Sequence, residues 1–409
     1  MFETKQFRFR RFCLGFLFFL GARFLCGQID LAKAYKSGPI HLEQDPEFGK
    51  NTDWNALFYN LFCDMVVAPD GSLFIASSRQ HKIFKFNPDG NLVKSFGREG
   101  QGPGDFYRPD NLSILDGELL VVGEYASTQR ISLFDLEGNF KKVLKTGRPP
   151  FRPIALRDGK IAYIIYNYRG DGPTDRKKIA SVIIRDTNSD EEIKVAEFTF
   201  NFGSLRVGGM LYGFAEETGG TFFIVSSKEG NLIVGNSLLP SVDVFSPDGT
   251  RISTIPINIE PVPVTKRVIS EYKKYQIDLM SRHEGMSQNQ IQETVRKMKK
   301  ASWDHLFDET LPLYREILVD ADGNILVFRR TGCLGEDCPI PVQVYSSDGK
   351  YICETELIEG PFNLTVDPRI QNMCFTGQGL LAMVEVKDAP EFELRVIRVR
   401  LTNPEIPID

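Results

Sequence analysis

The chain has 409 residues, 42% of them hydrophobic and 25% charged, with a formal net charge of −5 and 31 Phe against 2 Trp. That is enough apolar material to fill one large core or two ordinary ones, and the composition excludes a disordered chain. The acidic balance argues against nucleic acid or an anionic lipid surface as partner.

The first 27 residues differ in kind from the rest. A basic start (Lys5, Arg8, Arg10, Arg11) leads into "FCLGFLFFLGA" and then "RFLCGQ", the three-part order of a secretory signal. The apolar run is short for a membrane span and Arg23 interrupts it, so residues 1–27 are expected to be cleaved as a Sec-type leader of a secreted or periplasmic protein. Phe24 and Leu25 fit a lipoprotein signal around Cys26 poorly. Cleavage removes five basic residues and one acidic residue (Glu3), which takes the net charge from −5 to −9. No later segment reads as a membrane span, and residues 28–409 are expected to form one domain and a monomer.

Next in chain order comes a repeat. "MVVAPDGSLFIASSRQHKIFKFNPDGNLVKSFG" (65–97) is followed by "NLSILDGELLVVGEYASTQRISLFDLEGNFKKVLKTG" (111–147). Each reads as four strands whose first and last pairs are joined by Asp-Gly or Glu-Gly turns, a hairpin signal between alternating β-branched and aromatic runs. Looser copies lie at 153–198, 222–257 and 316–357, and a sixth at 373–401 runs out before its last strand. "GPIHLEQ" (38–44) is the expected donor of that strand, closing the ring. Six four-stranded units predict an all-β, six-bladed β-propeller.

"FGREGQGPGDFYRPDNLSI" followed by "ELLVVGEYASTQRISLFDLEGNF" resembles the NHL repeat and related bacterial six-bladed propellers. The resemblance is close over 62–147 and recognisable over 315–357. It implies the fold and is silent on function. Gly97, Gly100, Gly102 and Gly104 are not followed by a helix, which a phosphate loop needs for its amides. They are expected to link one blade's outer strand to the next blade's inner strand.

In a propeller the loops between strands two and three, and the links from strand four to the next blade, open on one face. The long segments 97–110, 166–178, 258–314 and 331–341 all fall in that class, so this face is the expected working surface. Within 263–308 the spacing of Val268, Tyr272, Tyr275 and Leu279, then of Ile291, Val295 and Met298 behind a Ser287/Gln290 capping box, predicts a helical hairpin. It serves either as a lid on the rim or as a surface recognising a partner through Tyr272, Tyr275 and Trp303. Cys333 and Cys338 in "TGCLGEDCPIP" are candidates for a small disulfide. Cys63, Cys353 and Cys374 read as small buried hydrophobes.

Aligning the units brings Asp64, Asp110, Arg152, Glu316 and Asn372 to the starts of inner strands, around the channel mouth. Three carboxylates and an amide suit Ca²⁺, whereas the arginine argues for a salt-bridged collar or a polar-ligand site. A polar collar is also what any propeller channel needs to satisfy its waters. The resemblance to calcium-dependent lactonases stops at the fold and the presence of acids, and the four histidines are too dispersed for a histidine-bound zinc as in propeller lyases. No Gly-x-Ser-x-Gly elbow occurs. The expected function is a non-enzymatic binding scaffold for a protein, peptide or glycan, without a required cofactor. The alternative is a metal-assisted lactonase or esterase, with Asp64, Asp110 and Glu316 on the metal and Arg152 meeting developing negative charge.

Overall fold

The computed structural model of the chain describes residues 30–41, 44–58, 63–124, 128–169, 177–201, 204–207, 210–213, 220–281, 287–332, 339–358, 362–363, 373–376, 379–386 and 394–399. Helix α1 (Leu31–Ser37), strand β1 (Ile40–His41) and helix α2 (Trp54–Leu57) precede the ring. Blade one is β2 (Cys63–Val67), β3 (Leu73–Ser77), β4 (Lys82–Phe86) and β5 (Leu92–Phe96). Blade two is β6 (Pro109–Leu115), β7 (Leu119–Glu124), β8 (Arg130–Asp135) and β9 (Phe140–Lys145). Blade three is β10 (Phe151–Ala155), β11 (Lys160–Arg169), β12 (Lys177–Asp186) and β13 (Glu192–Asn201). A separate hairpin follows, β14 (Ser204–Val207) with β15 (Met210–Gly213).

Blade four is β16 (Phe222–Ser226), β17 (Leu232–Asn236), β18 (Ser241–Phe245) and β19 (Arg251–Pro256). Helices α3 (Lys266–Ser281) and α4 (Gln288–Lys300) form the expected insertion. Blade five is β20 (Tyr314–Val319), β21 (Ile325–Arg329), β22 (Ile340–Tyr345) and β23 (Tyr351–Ile358). Blade six places β24 (Phe362–Asn363) and β25 (Met373–Thr376) along the two ends of β26 (Gly379–Val386), with β27 (Leu394–Val399) on the other side. The chain is thus an all-β, six-bladed propeller with a helical hairpin. Among the described residues no helix is long and apolar enough to cross a membrane.

The turns are longer than the two-residue kind read from Asp-Gly. In blade one the Asn87 amide donates to Asn91 O and the Gly90 amide to Asn87 O, with Gly90 at φ +78°. Gly90 stands at the third loop position in the left-handed conformation that closes such a turn, and a separate register shift between Lys85 and Phe86 follows in the strands.

Ring closure differs from the sequence expectation for 38–44. Ile40 and His41 pair in parallel with Leu357 and Ile358, adding a fifth strand to the outer edge of blade five. Among the described residues, the Asp45 amide then donates to Arg398 O of β27 at 2.9 Å. The apolar side chains of this N-terminal strap explain the detour. Leu31, Tyr35 and Ile40 are buried among residues of blades five and six, such as Phe328, Val342, Met373 and Ile397. Phe48, Trp54 and Phe58 fill the joint between blades six and one, against Phe84, Phe86, Leu381 and Met383. The strap also grips turns on the face opposite the long loops. Tyr35 Oη donates to Asp320 Oδ2 at 3.0 Å, the Gly49 amide to Asp89 O at 2.7 Å, and Thr52 Oγ1 to Gly90 O at 2.7 Å.

Trp54 stacks between Phe48 and Phe58 and lies 5.1 Å from Phe86, centroid to centroid. Trp54→Ala is therefore expected to destabilise the protein by about 3–5 kcal/mol, measured by chemical denaturation. Gly90→Ala should destabilise as well, because a Cβ there would sit 2.8 Å from the Gly49 amide nitrogen at a left-handed φ.

Candidate functional site

The glycine-rich segment is the inter-blade link the sequence predicted. It runs from β5 to β6, folded by Phe106 N–H to Arg98 O and Gly100 N–H to Phe106 O. A side chain at Gly97 would overlap the fully buried Phe106 ring. Its organiser was not read from the sequence. Glu124, 1% exposed, accepts from the Tyr107 amide at 2.7 Å and from Arg130 Nε at 2.6 Å. Arg130 then donates to the carbonyls of Gly100, Gln101 and Asp105. A Glu closing strand β7 opposite an Arg opening β8 was the available signal.

At the channel mouth, inner-strand bulges decide which side chains point inward. Register shifts fall between Pro109 and Asn111, between Phe151 and Ile154, and between Tyr314 and Glu316. Asp64 is buried, and its carboxylate accepts from its neighbour Met65 N–H at 2.9 Å and from Leu112 N–H of blade two at 2.6 Å. Asn111, not Asp110, is the equivalent residue of blade two. It is buried, and its Oδ1 accepts from Arg152 N–H of blade three at 3.2 Å, while Asp110 sits half-buried on the bulge. Each of these side chains holds the next blade's inner strand.

That relay gives way at blade three to charge. Arg152 sits in the bulge of β10 at φ +51°, a left-handed conformation that costs a non-glycine residue of order 1 kcal/mol and recurs at functional positions. It is buried and interacts electrostatically with Glu316 of blade five. Burial pushes the Glu316 carboxyl above the ordinary carboxylate range, and Arg152, the Ile317 amide and Arg315 draw it partly back. Among the described residues of blade four, between them, Gly220 and the small, buried Thr221 stand just before β16.

Of the expected calcium ligands, Asp64 and Glu316 spend oxygens on backbone amides, and Asp110 is turned aside by the bulge. Among the described residues no three His, Cys, Asp or Glu side chains converge as a metal site would require. Asn372, Cys333 and Cys338 lie outside the described residues. Cys374 is buried, and burial followed by the nearby Asp64 pushes its thiol up to about 12. Cys353 is only partly buried.

The hairpin candidates divide. Tyr272 and Trp303 are each 2% exposed, at the centre of the insertion's own core with Met280, Met298 and Leu306. Trp303 Nε1 donates to Met298 O at 3.1 Å, and Tyr272 meets Phe307 edge to face at 5.3 Å. They hold the hairpin together and are not presented to a partner. Tyr275 is 38% exposed. The expected capping box at Ser287 and Gln290 is present.

Two outcomes follow. Asp64→Ala, which strands two amides, should cost about 2–4 kcal/mol in denaturant unfolding. Glu316 has a folded-state pKa raised above its unfolded value, so its contribution is present at low pH and lost as pH rises through the folded pKa. Relative to Glu316→Gln, the natural protein should therefore lose stability as pH rises above the usual carboxylate range, measured as urea midpoints across pH.

No protein-family model matches the chain, and no curated protein matches it. Solved structures resemble it in shape. A member of the DUF4221 family from Bacteroides vulgatus is 11% identical, with 88% of this chain and 96% of that chain covered and a TM-score of 0.48. A streptogramin B lyase is 10% identical, with 82% of each chain covered and a TM-score of 0.39. A catalytically inactive virginiamycin B lyase from Staphylococcus aureus is 11% identical, with 84% and 87% covered and a TM-score of 0.35. At such values the likeness carries no argument about what this chain does.

Proposed function

We propose that the chain is an exported, NHL-like propeller that serves as a non-enzymatic binding scaffold for a protein, peptide or glycan partner. The observation that carries this reading is the one-sided elaboration of the ring. The β14–β15 hairpin, the α3–α4 hairpin and the lengthened blade three all belong to the loop-and-link face, while the strap fastens the opposite one. Exposed Tyr107, Tyr168, Leu239 and Tyr275 lie in the segments of the elaborated face. Large amphipathic side chains of this kind dominate binding energy at protein surfaces. The collar acids, engaged on strand amides, fit a structural role better than the cation-holding role of the hydrolase alternative.

The test is a screen of the chain, expressed with its own leader and purified, against glycan and peptide arrays, with partners ranked by affinity. Tyr168→Ala or Tyr275→Ala should weaken the hits by roughly five- to a hundredfold, while Tyr351→Ala on an outer strand leaves them unchanged. Turnover of a lactone or ester that vanishes in Asp64→Asn would contradict the scaffold reading.

A further inference from the structure

Charge is divided unevenly between the two faces of the ring. Beyond residue 27 the chain holds 44 basic and 53 acidic residues, yet residues 263–308 alone hold nine basic and six acidic, Glu284 included. The α3–α4 insertion is therefore a basic element on an acidic protein. Within it, Glu271 is spent on Arg267 at 2.7 Å and Glu293 on Lys297 at 2.6 Å, and Asp304 accepts from Ser302 Oγ at 2.9 Å. Lys266, Lys274, Arg296, Lys299 and Lys300 are exposed, and none of them forms an ion pair among the described residues. Helix pitch puts Arg296, Lys299 and Lys300 on the side of α4 opposite the buried Ile291, Thr294 and Met298. Lys273 donates to the carbonyls of Lys299 and Ala301 at 2.8 and 3.0 Å, which draws this turn of α3, with Lys274, alongside them. Lys273 thus supplies the cation that the carbonyl end of α4 calls for, and the others stand in excess of it.

The turn face carries the converse excess. The turns of blades two, three and four, residues 115–119, 135–140, 156–160, 186–192, 226–231 and 245–250, hold eleven acidic residues and three basic ones. Lys141, Lys85, Lys94 and Arg185 from the strands reach Asp135, Glu137, Asp190 and Glu192, while Arg157 and Lys160 meet Asp158 and Asp186. After that pairing Asp116, Glu118, Glu191, Glu229 and Asp248 stay exposed with no ion pair among the described residues, against Lys142, which donates to Thr187 O, and Lys228. Asp116 also accepts from the Gly159 amide at 2.9 Å, which ties the turns of blades two and three together. On blades five and one the strap covers the turns, at Asp320, Asp322, Asp89 and Gly90. The acidic sector of blades two to four lies clear of it.

We propose that the insertion docks a second copy of the chain, in place of the monomer expected from the sequence. The solvent side of the hairpin, with Lys266, Lys274, Arg296, Lys299 and Lys300, meets the acidic turns of blades two to four of the next copy. Links and turns lie at opposite ends of the strands, and the hairpin leaves the ring from the link between β19 and β20. A contact between those two faces is head to tail, so it leaves one basic and one acidic face open and lets chains of copies grow with concentration. The surfaces that meet are charged and hydrated, and such contacts take their specificity and their salt dependence from complementary charge. A contact of that kind is weak and reversible.

Sedimentation velocity of the purified protein over a wide range of concentration reads the contact. At about 0.05 M salt the average mass should rise with concentration above that of one chain, and about 0.5 M salt should weaken the association tenfold or more. One variant combines Lys274→Gln, Lys299→Gln and Lys300→Gln, and a second combines Glu118→Gln, Glu191→Gln and Glu229→Gln. Each should associate at least about tenfold more weakly than the natural protein. All six side chains are exposed, so both variants fold. An equimolar mixture of the two should associate again, since each brings the face that the other lacks. A monomer at every concentration in low salt, association indifferent to salt, full association in either variant, or no recovery in the mixture overturns the proposal. If the protein stays monomeric and binds polyglutamate through the three lysines instead, a separate acidic partner occupies the hairpin and the second copy falls. Array binding that depends on Tyr168 is read separately, so the scaffold reading stands or falls by its own test.

Discussion

β27 of the last blade takes its outer partner from Asp45, near the start of the described chain, and every other feature of the ring depends on how that joint is sealed. A propeller whose last blade is left open exposes strand edges and the faces of two blades. Here the seal is mainly apolar. The strap drives Leu31, Tyr35 and Ile40 into one joint and Phe48, Trp54 and Phe58 into the next, and strand pairing contributes only short stretches. Arg398 adds a polar clasp, stacking 4.6 Å from Phe48 and lying 3.7 Å from the Asp45 carboxylate.

Because the strap occupies the turn face and the outer edges of blades five and six, the opposite face is free to vary. The links there carry the glycine-rich segment, two inserted hairpins and a lengthened blade. The cost of that freedom is met locally, by the Glu124–Arg130 pair under the first link and by the insertion's own core around Tyr272 and Trp303. Rigid local supports of this sort are what a binding surface built on loops requires.

Most of the fold was legible in the sequence, since strand alternation and turn glycines are local signals. Blade count, the linker role of Gly97 to Gly104, the helical insertion and its cap at Ser287 were all readable in this way. Register was not. A bulge adds one residue and moves the next side chain to the other face. Sequence alignment therefore chose Asp110 where Asn111 faces the channel, and could not foresee the left-handed backbone of Arg152. Apolar periodicity marked Tyr272 for a helix face but could not say whether that face met a partner or the insertion's own second helix. The strap shows the same limit, because 38–44 reads as a strand wherever it pairs and only packing chooses its neighbour.

Closure by packing is tested most directly by hydrogen exchange on the natural protein and on Trp54→Ala, followed amide by amide. If the strap seals the ring, truncating Trp54 accelerates exchange in β2 and β3 and also in β25, β26 and β27, which lie far from the strap in sequence, while β11 and β12 of blade three keep their protection. Faster exchange confined to residues 44–58, with blades six and one unchanged, would contradict it.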